Sequence, residues 1–171
     1  MIKIFICSIF IFFTSYSSGY SLTKDFHNSL AQCYELASKE YAVPEVILWI
    51  ISYVESNNNP YAINVSGKGY YFKNRDEAEK FIKKNNHKSI DIGLMQINKW
   101  WFKKYKYDME LGLNPCWNIF MGAYILSYEY NRFNKDIWKA VAHYHSNKQV
   151  YQQRYIKKIY KELVKWQNAK R

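Results

Sequence analysis

The chain has 171 residues, 49% of them apolar, which suffices for one compact domain with a real core. No glycine-, proline- or serine-rich linker leads to a second domain. Lysine and arginine total 25 against 14 aspartate and glutamate, and the resulting net charge of +11 suits polyanionic surfaces.

Lys3 precedes the apolar run Ile4 to Phe13, which is followed by "TSYSSGYS", whose small residues offer a cleavage point after Ser17 or Gly19. This is the pattern of a secretory signal peptide over residues 1–19, with a mature domain over 20–171. An uncleaved membrane anchor is the competing reading. The apolar run falls short of the roughly 20 residues a spanning helix needs, and no later segment reaches that length. The mature chain is expected outside the cytoplasm, as a monomer without a stable membrane span, a location that removes nucleic acid from its partners.

Behind Asp25, a candidate N-cap, the residues Phe26, Leu30, Cys33, Tyr34, Ala37 and Tyr41 recur at helical spacing. Pro44 suits the first turn of a second helix with inner positions Ile47, Ile50, Ile51 and Val54, stopped by the polar string Ser56 to Asn59 and by Pro60. Glu55 stands at the end of this apolar segment. Desolvation and the helix macrodipole both favour the protonated form of a carboxyl in that position.

From Asn64 the pattern loosens. "VSGKGYYF" reads as a turn and a short strand, and Asn74 with Glu77 forms a capping box ahead of a short helix. Gly93, in "SIDIGLMQIN", marks a backbone turn or a close approach. Asn114 and Pro115 open a long amphipathic helix through Ile119, Ala123, Leu126 and Tyr130. Two more helices are predicted, from about Ile137 to Tyr144 and from Gln152 to Trp166, the last one basic. The class is mainly α with a minor β element, in a single helical domain.

Cys7 leaves with the signal, so the mature chain retains Cys33 and Cys116. Two cysteines in an oxidising compartment point to one disulfide, closing a loop of about 84 residues between the first helix and the middle of the domain. Two free buried thiols are the alternative.

Four short stretches occur in a fixed order: "VES" at Glu55 and Ser56, "GLMQI" from Gly93, "NPCWNI" from Asn114 and "AVAHYHS" from Ala140. Together they resemble the catalytic domain of soluble lytic transglycosylases, relatives of goose-type lysozyme, over roughly Cys33 to Ser146. The small exported form resembles most the single-domain members that serve type III secretion, conjugation or pilus machines. The resemblance implies an α+β, lysozyme-like fold and a periplasmic location. It implies cleavage of the β-1,4 bond between N-acetylmuramic acid and N-acetylglucosamine in peptidoglycan, leaving a 1,6-anhydro end and requiring no cofactor.

The resemblance also assigns roles. Ordinary glycosidases need two carboxylates, whereas this family needs one, because the substrate's N-acetyl group and C6 hydroxyl supply the nucleophiles. Glu55 would donate a proton to the glycosidic oxygen and then take one from the C6 hydroxyl. Tyr144 matches the tyrosine of the family's Ala-x-Tyr-Asn motif, and His145 replaces its asparagine. Ser56, Gly93, Met95 and Gln96 are the residues implied to line the cleft, Gly93 by not crowding a glycan and Gln96 by its amide.

Other residues read more plainly. Asp91, the one acidic residue beside "GLMQI", is read as a turn or cap group. His143 and His145 fall on different helix faces, and with His27 and His87 they form no metal-ligand pattern. Trp100 and Trp101 receive no sugar-binding role, and the basic last helix is read as a solvated face. A hydrolysing lysozyme of the same fold is the nearest alternative, and a catalytically silent glycan-binding scaffold of a secretion apparatus is the alternative from another class.

Overall fold

The computed structural model describes residues 21–169, with side chains from residue 29 onward. The expected signal segment, residues 1–19, lies outside the described residues. The first helix, α1, spans Ser21–Tyr41 and so begins before Asp25, the expected cap. Leu30, Cys33, Tyr34 and Ala37 form its buried stripe. Helix α2, Glu45–Ser56, starts behind Pro44, which occupies the N-cap position rather than the first turn. It ends where Asn57 turns left-handed at φ 55° and returns its N–H to the carbonyls of Ser52 and Tyr53.

A small antiparallel sheet follows. Strands β1, Ala62–Val65, and β2, Lys68–Tyr71, form a hairpin around Ser66 and Gly67, both at positive φ. Where one strand after a turn is expected, two strands flank it. Helix α3, Arg75–Asn85, begins with the predicted capping box: Asn74 accepts from the Glu77 N–H and its amide donates to the Glu77 carboxylate. Strand β3, Ile90–Ile92, pairs with β1, and the two-residue β4, Ile97–Asn98, pairs with β3, giving the order β2-β1-β3-β4.

Helix α4 is Lys99–Tyr105, and a 3-10 turn covers Met109–Leu113. Helix α5, Pro115–Arg132, carries Asn114 as its cap, accepting from the Trp117 N–H. Asp136 caps α6, Ile137–His145, and α7 runs over Gln149–Ala169, longer than its predicted span. Packing passes from α1 to α5, from α5 to α6, from α6 to α7 and back to α2. The C-terminal ends of α2 and α6 share one cavity with the sheet. The mainly α, lysozyme-like architecture expected from the sequence is the one observed.

The disulfide is present: Cys33 on α1 joins Cys116 in the first turn of α5 across 83 residues, with 5.4 Å between the Cα atoms. In the chain-entropy account such a link is worth about 4 to 5 kcal/mol, through the freedom it removes from the unfolded chain. Among the described residues no helix is long and apolar enough to cross a membrane, and no cluster of metal-ligating side chains occurs.

Candidate active site

A cavity of about 280 Å³ opens where α2, α4, α5 and α6 meet the sheet. Glu55 enters it from the last turn of α2, and Tyr144 and His145 enter from the last turn of α6. The sheet contributes a row of three polar residues. Asn64 on β1, Asp91 on β3 and Asn98 on β4 are register partners, and all three line the cavity. On β3 the neighbours Ile90 and Ile92 turn to the core, so the two-residue period brings Asp91 to the opposite face. Gln96, Ile97, Trp101 and Ile125 complete the wall.

The Glu55 side chain is only 14% exposed, and the Nδ1 of His145 lies 3.6 Å from its Oε1. The imidazole is fixed from its other side. It lies on the ring of Tyr155, with centroids 4.3 Å apart and planes 1° from parallel. Tyr155 belongs to α7. Its buried hydroxyl stands in electrostatic reach of Glu55 but makes no hydrogen bond of ordinary geometry. Burial, then the charge of Glu55, pushes the Tyr155 phenol well above its ordinary range.

Tyr144 is half-buried, and its hydroxyl donates to the Met95 carbonyl at 2.7 Å. Burial holds this phenol well above its ordinary value, and the charges of Glu55 and Asp91 add to the effect. It remains a neutral donor and acceptor. Asp91 is also raised from 3.8, first by burial and further by Glu55; a hydrogen bond from the Asn98 amide at 2.6 Å and the nearness of His145 oppose the shift. Asp91 is therefore a strand residue facing the cavity, not the turn or cap group expected.

Three of the residues expected along the cleft lie beneath it. Ser56 is 1% exposed, and its hydroxyl is shared between the carbonyls of Ser52 and Leu94, at 3.1 and 2.7 Å, which pins α2 to the "GLMQI" turn. Met95 is fully buried, its thioether packed where a Cβ on Gly122 would fall. Its main chain is what reaches the site: the N–H donates to Asn118 at 2.7 Å and the carbonyl holds Tyr144. Gly93, at φ +82°, has no room for a side chain because a Cβ would meet the Gly112 carbonyl at 2.2 Å and the Asn118 amide at 2.3 Å. Protein packing demands the glycine there, not clearance for a glycan.

Gln96 does line the cavity, with its own constraint. Its amide nitrogen donates to the carbonyls of Ala62 and Gly93, which leaves the amide oxygen as the group it can offer a ligand. The turn as a whole hangs on Asn118, fully buried on α5, which accepts from Met95 and donates to the carbonyls of Ile92 and Gly112, each at 2.8 Å. Asn118 and Tyr155 were missed by sequence reasoning, as were the cavity-lining Asn64 and Asn98. A polar side chain inside the apolar stripe of "NPCWNIF" is the only signal Asn118 leaves, and nothing local marks Tyr155.

Residues 32–163 match the family model described as the transglycosylase SLT domain, which covers most of the chain. The chain belongs to the SLT transglycosylase family. This SLT domain is also similar to a "Peptidoglycan-binding-like protein" of Escherichia coli O157:H7, 33% identical over 87% of this chain and 86% of the relative. It is 29% identical to the "Invasion protein IagB" of Salmonella typhimurium, over 79% of this chain and 77% of that one. It is 27% identical to "Protein IpgF" of Shigella sonnei, over 79% and 81%. Glu55, Gln96 and Tyr144 of this SLT domain meet in one cavity, supported from beneath by Ser56, Gly93 and Met95.

Proposed function

We propose that the chain is a peptidoglycan lytic transglycosylase, cutting the β-1,4 bond between N-acetylmuramic acid and N-acetylglucosamine and leaving a 1,6-anhydro end. The observation that carries this reading is the setting of Glu55. It is a nearly buried carboxyl in a cavity, at a helix C-terminus, with neither lysine nor arginine bonded to it among the described residues. A carboxyl so placed can give a proton and take one back.

Glu55 donates its proton to the glycosidic oxygen as the bond to the muramic C1 breaks, while the substrate's own N-acetyl oxygen supports C1 from the other face. The Glu55 carboxylate then takes the proton of the C6 hydroxyl, whose oxygen closes on C1. No water enters the balance. Tyr144, held by the Met95 carbonyl, offers its phenolic oxygen to the acetamido N–H without adding charge. The Gln96 amide oxygen accepts from a sugar hydroxyl or amide.

The chain is read as exported through the signal peptide of residues 1–19. The mature domain, 20–171, acts as a monomer in the periplasm, opening the wall locally for a secretion, conjugation or pilus apparatus. Its family and the relatives named for invasion support that setting.

A second reading has one observation in its favour. Asp91 brings a second carboxylate to the same cavity, the equipment of a hydrolysing lysozyme. Mass spectrometry of the released muropeptides separates the two: anhydro ends, lighter by one water, are expected, and reducing ends would establish hydrolysis.

A further inference from the structure

The cavity wall formed by Trp101 continues onto the surface as an aromatic ridge. Trp101 is partly buried, with its ring against Tyr128 at 5.9 Å. One residue earlier Trp100 is 56% exposed, and its ring stands edge-on to Trp101 at 4.8 Å and 84°. The Lys104 ammonium lies 4.9 Å from the centroid of each indole, 5.1 Å from Tyr105 and 5.2 Å from Tyr128. Lys104 is exposed, and no carboxylate pairs with it among the described residues.

Each feature alone is an ordinary surface detail; their continuity with the cavity gives them a direction. An indole left in water beside a cleft is available for the C–H face of a sugar ring. A cation held over π faces is oriented yet free to meet an anion. A ligand that uses both is a chain of amino sugars carrying carboxylates. Whether the carboxylate belongs to the lactyl ether or to the stem peptide, the chemistry at Lys104 is the same.

We infer that Trp100, Trp101 and Lys104 form an outer subsite of the cleft, holding a sugar ring of the glycan strand beyond the bond that Glu55 cuts and taking one of the strand's carboxylates at Lys104. The inference rests on the proposed peptidoglycan reading. It assigns to α4 a role in gripping long strands, separate from the chemistry at Glu55.

Binding, measured without turnover, tests it. The full mature chain carrying Glu55→Gln is titrated calorimetrically with three hexasaccharides: a peptide-bearing wall strand, the same strand stripped of peptides, and chitohexaose, which has no carboxylates. Adding Trp100→Ala weakens binding to all three by about tenfold, the loss of roughly one stacking contact. Adding Lys104→Gln weakens the wall strands and leaves chitohexaose unchanged; an effect confined to the peptide-bearing strand identifies the stem peptide as the carboxylate source.

Parent-like affinity of the Trp100→Ala protein for all three ligands overturns the subsite, as does absence of binding to any of them. Parent-like affinity of Lys104→Gln for both wall strands overturns the carboxylate contact. Cleavage by the Glu55 protein is assayed beside these titrations. Trp100-dependent binding without cleavage would discard the enzymatic reading and keep the subsite, and cleavage with Trp100-independent binding would do the reverse.

Discussion

The imidazole of His145 stands 3.6 Å from the carboxylate of Glu55, at the position where the resembled motif carries an asparagine. Its ring is held flat on Tyr155, so α7 fixes the imidazole and the imidazole flanks the acid. The last helix thus reaches the candidate site through a stacked pair. His145→Ala should lower turnover by about tenfold through misplacement of Glu55. The stability cost should stay near 1 kcal/mol, the worth of one aromatic stack. His145→Asn, which keeps a polar group beside the acid, should recover most of the rate. Steady-state kinetics of the two variants, with thermal melts alongside, check this.

Gly93 is the least replaceable residue of the "GLMQI" turn. An alanine there combines a positive φ of 82° with a Cβ placed 2.2 Å from a main-chain oxygen. Gly93→Ala should cost about 3 kcal/mol or more, a fall in Tm on the order of 6–12 °C in a chain of this size. A melt within a degree of wild type would contradict the packing explanation.

Asp91 links the site to pH. Its folded pKa is raised from 3.8, chiefly by burial, so the folded protein holds this proton more tightly than the unfolded chain does. Between 3.8 and the raised value the folded state binds more protons, and stability falls as pH rises through that window. Asp91→Asn removes the fall while its amide oxygen still accepts from Asn98. The variant should melt higher than wild type at pH 7, and the gain should vanish below pH 3.8. Melting curves across that range read the sign directly.

The Cys33–Cys116 link should matter more to stability than to chemistry, since it joins α1 to the start of α5 and neither residue lines the cavity. Replacing both with serine should remove about 4 to 5 kcal/mol, a fall of roughly 10–15 °C in Tm. The rate per folded molecule should persist. Calorimetry of oxidised and double-serine proteins measures the first, and activity well below the melt measures the second.

The helices were legible because their signals are local. The Asn114–Pro115 start of α5 and the Asn74–Glu77 box of α3 need no distant partner to be read. The sheet was largely illegible for the opposite reason. Strand β3 has three residues and β4 has two, too few to display an alternation; β3 exists through pairing with β1, and β4 through pairing with β3. Helix α4 buries only Phe102 fully, so "KWWFKKY" shows no helical stripe.

The same division runs through the site. Glu55, Gln96 and Tyr144 stood out as chemistry at known motif spacings. Ser56 and Met95 carried the same motif signal, yet their side chains face inward and hold the turn. Asn118 reaches Met95 and Ile92, more than 20 residues back in sequence, and Tyr155 lies in electrostatic reach of Glu55, about 100 residues back. Nothing near either residue records what it will meet.

In the proposed reaction one proton, carried by Glu55, breaks the glycan bond and is replaced from the sugar itself. The most direct test is the digestion of purified peptidoglycan by the wild-type chain and by Glu55→Gln, with mass spectrometry of the released fragments. Wild type should release 1,6-anhydro muropeptides, and the variant, folded with the same Tm, should release them at least about 100-fold more slowly. Equal release by the two proteins, or reducing ends from the wild type, would overturn this mechanism.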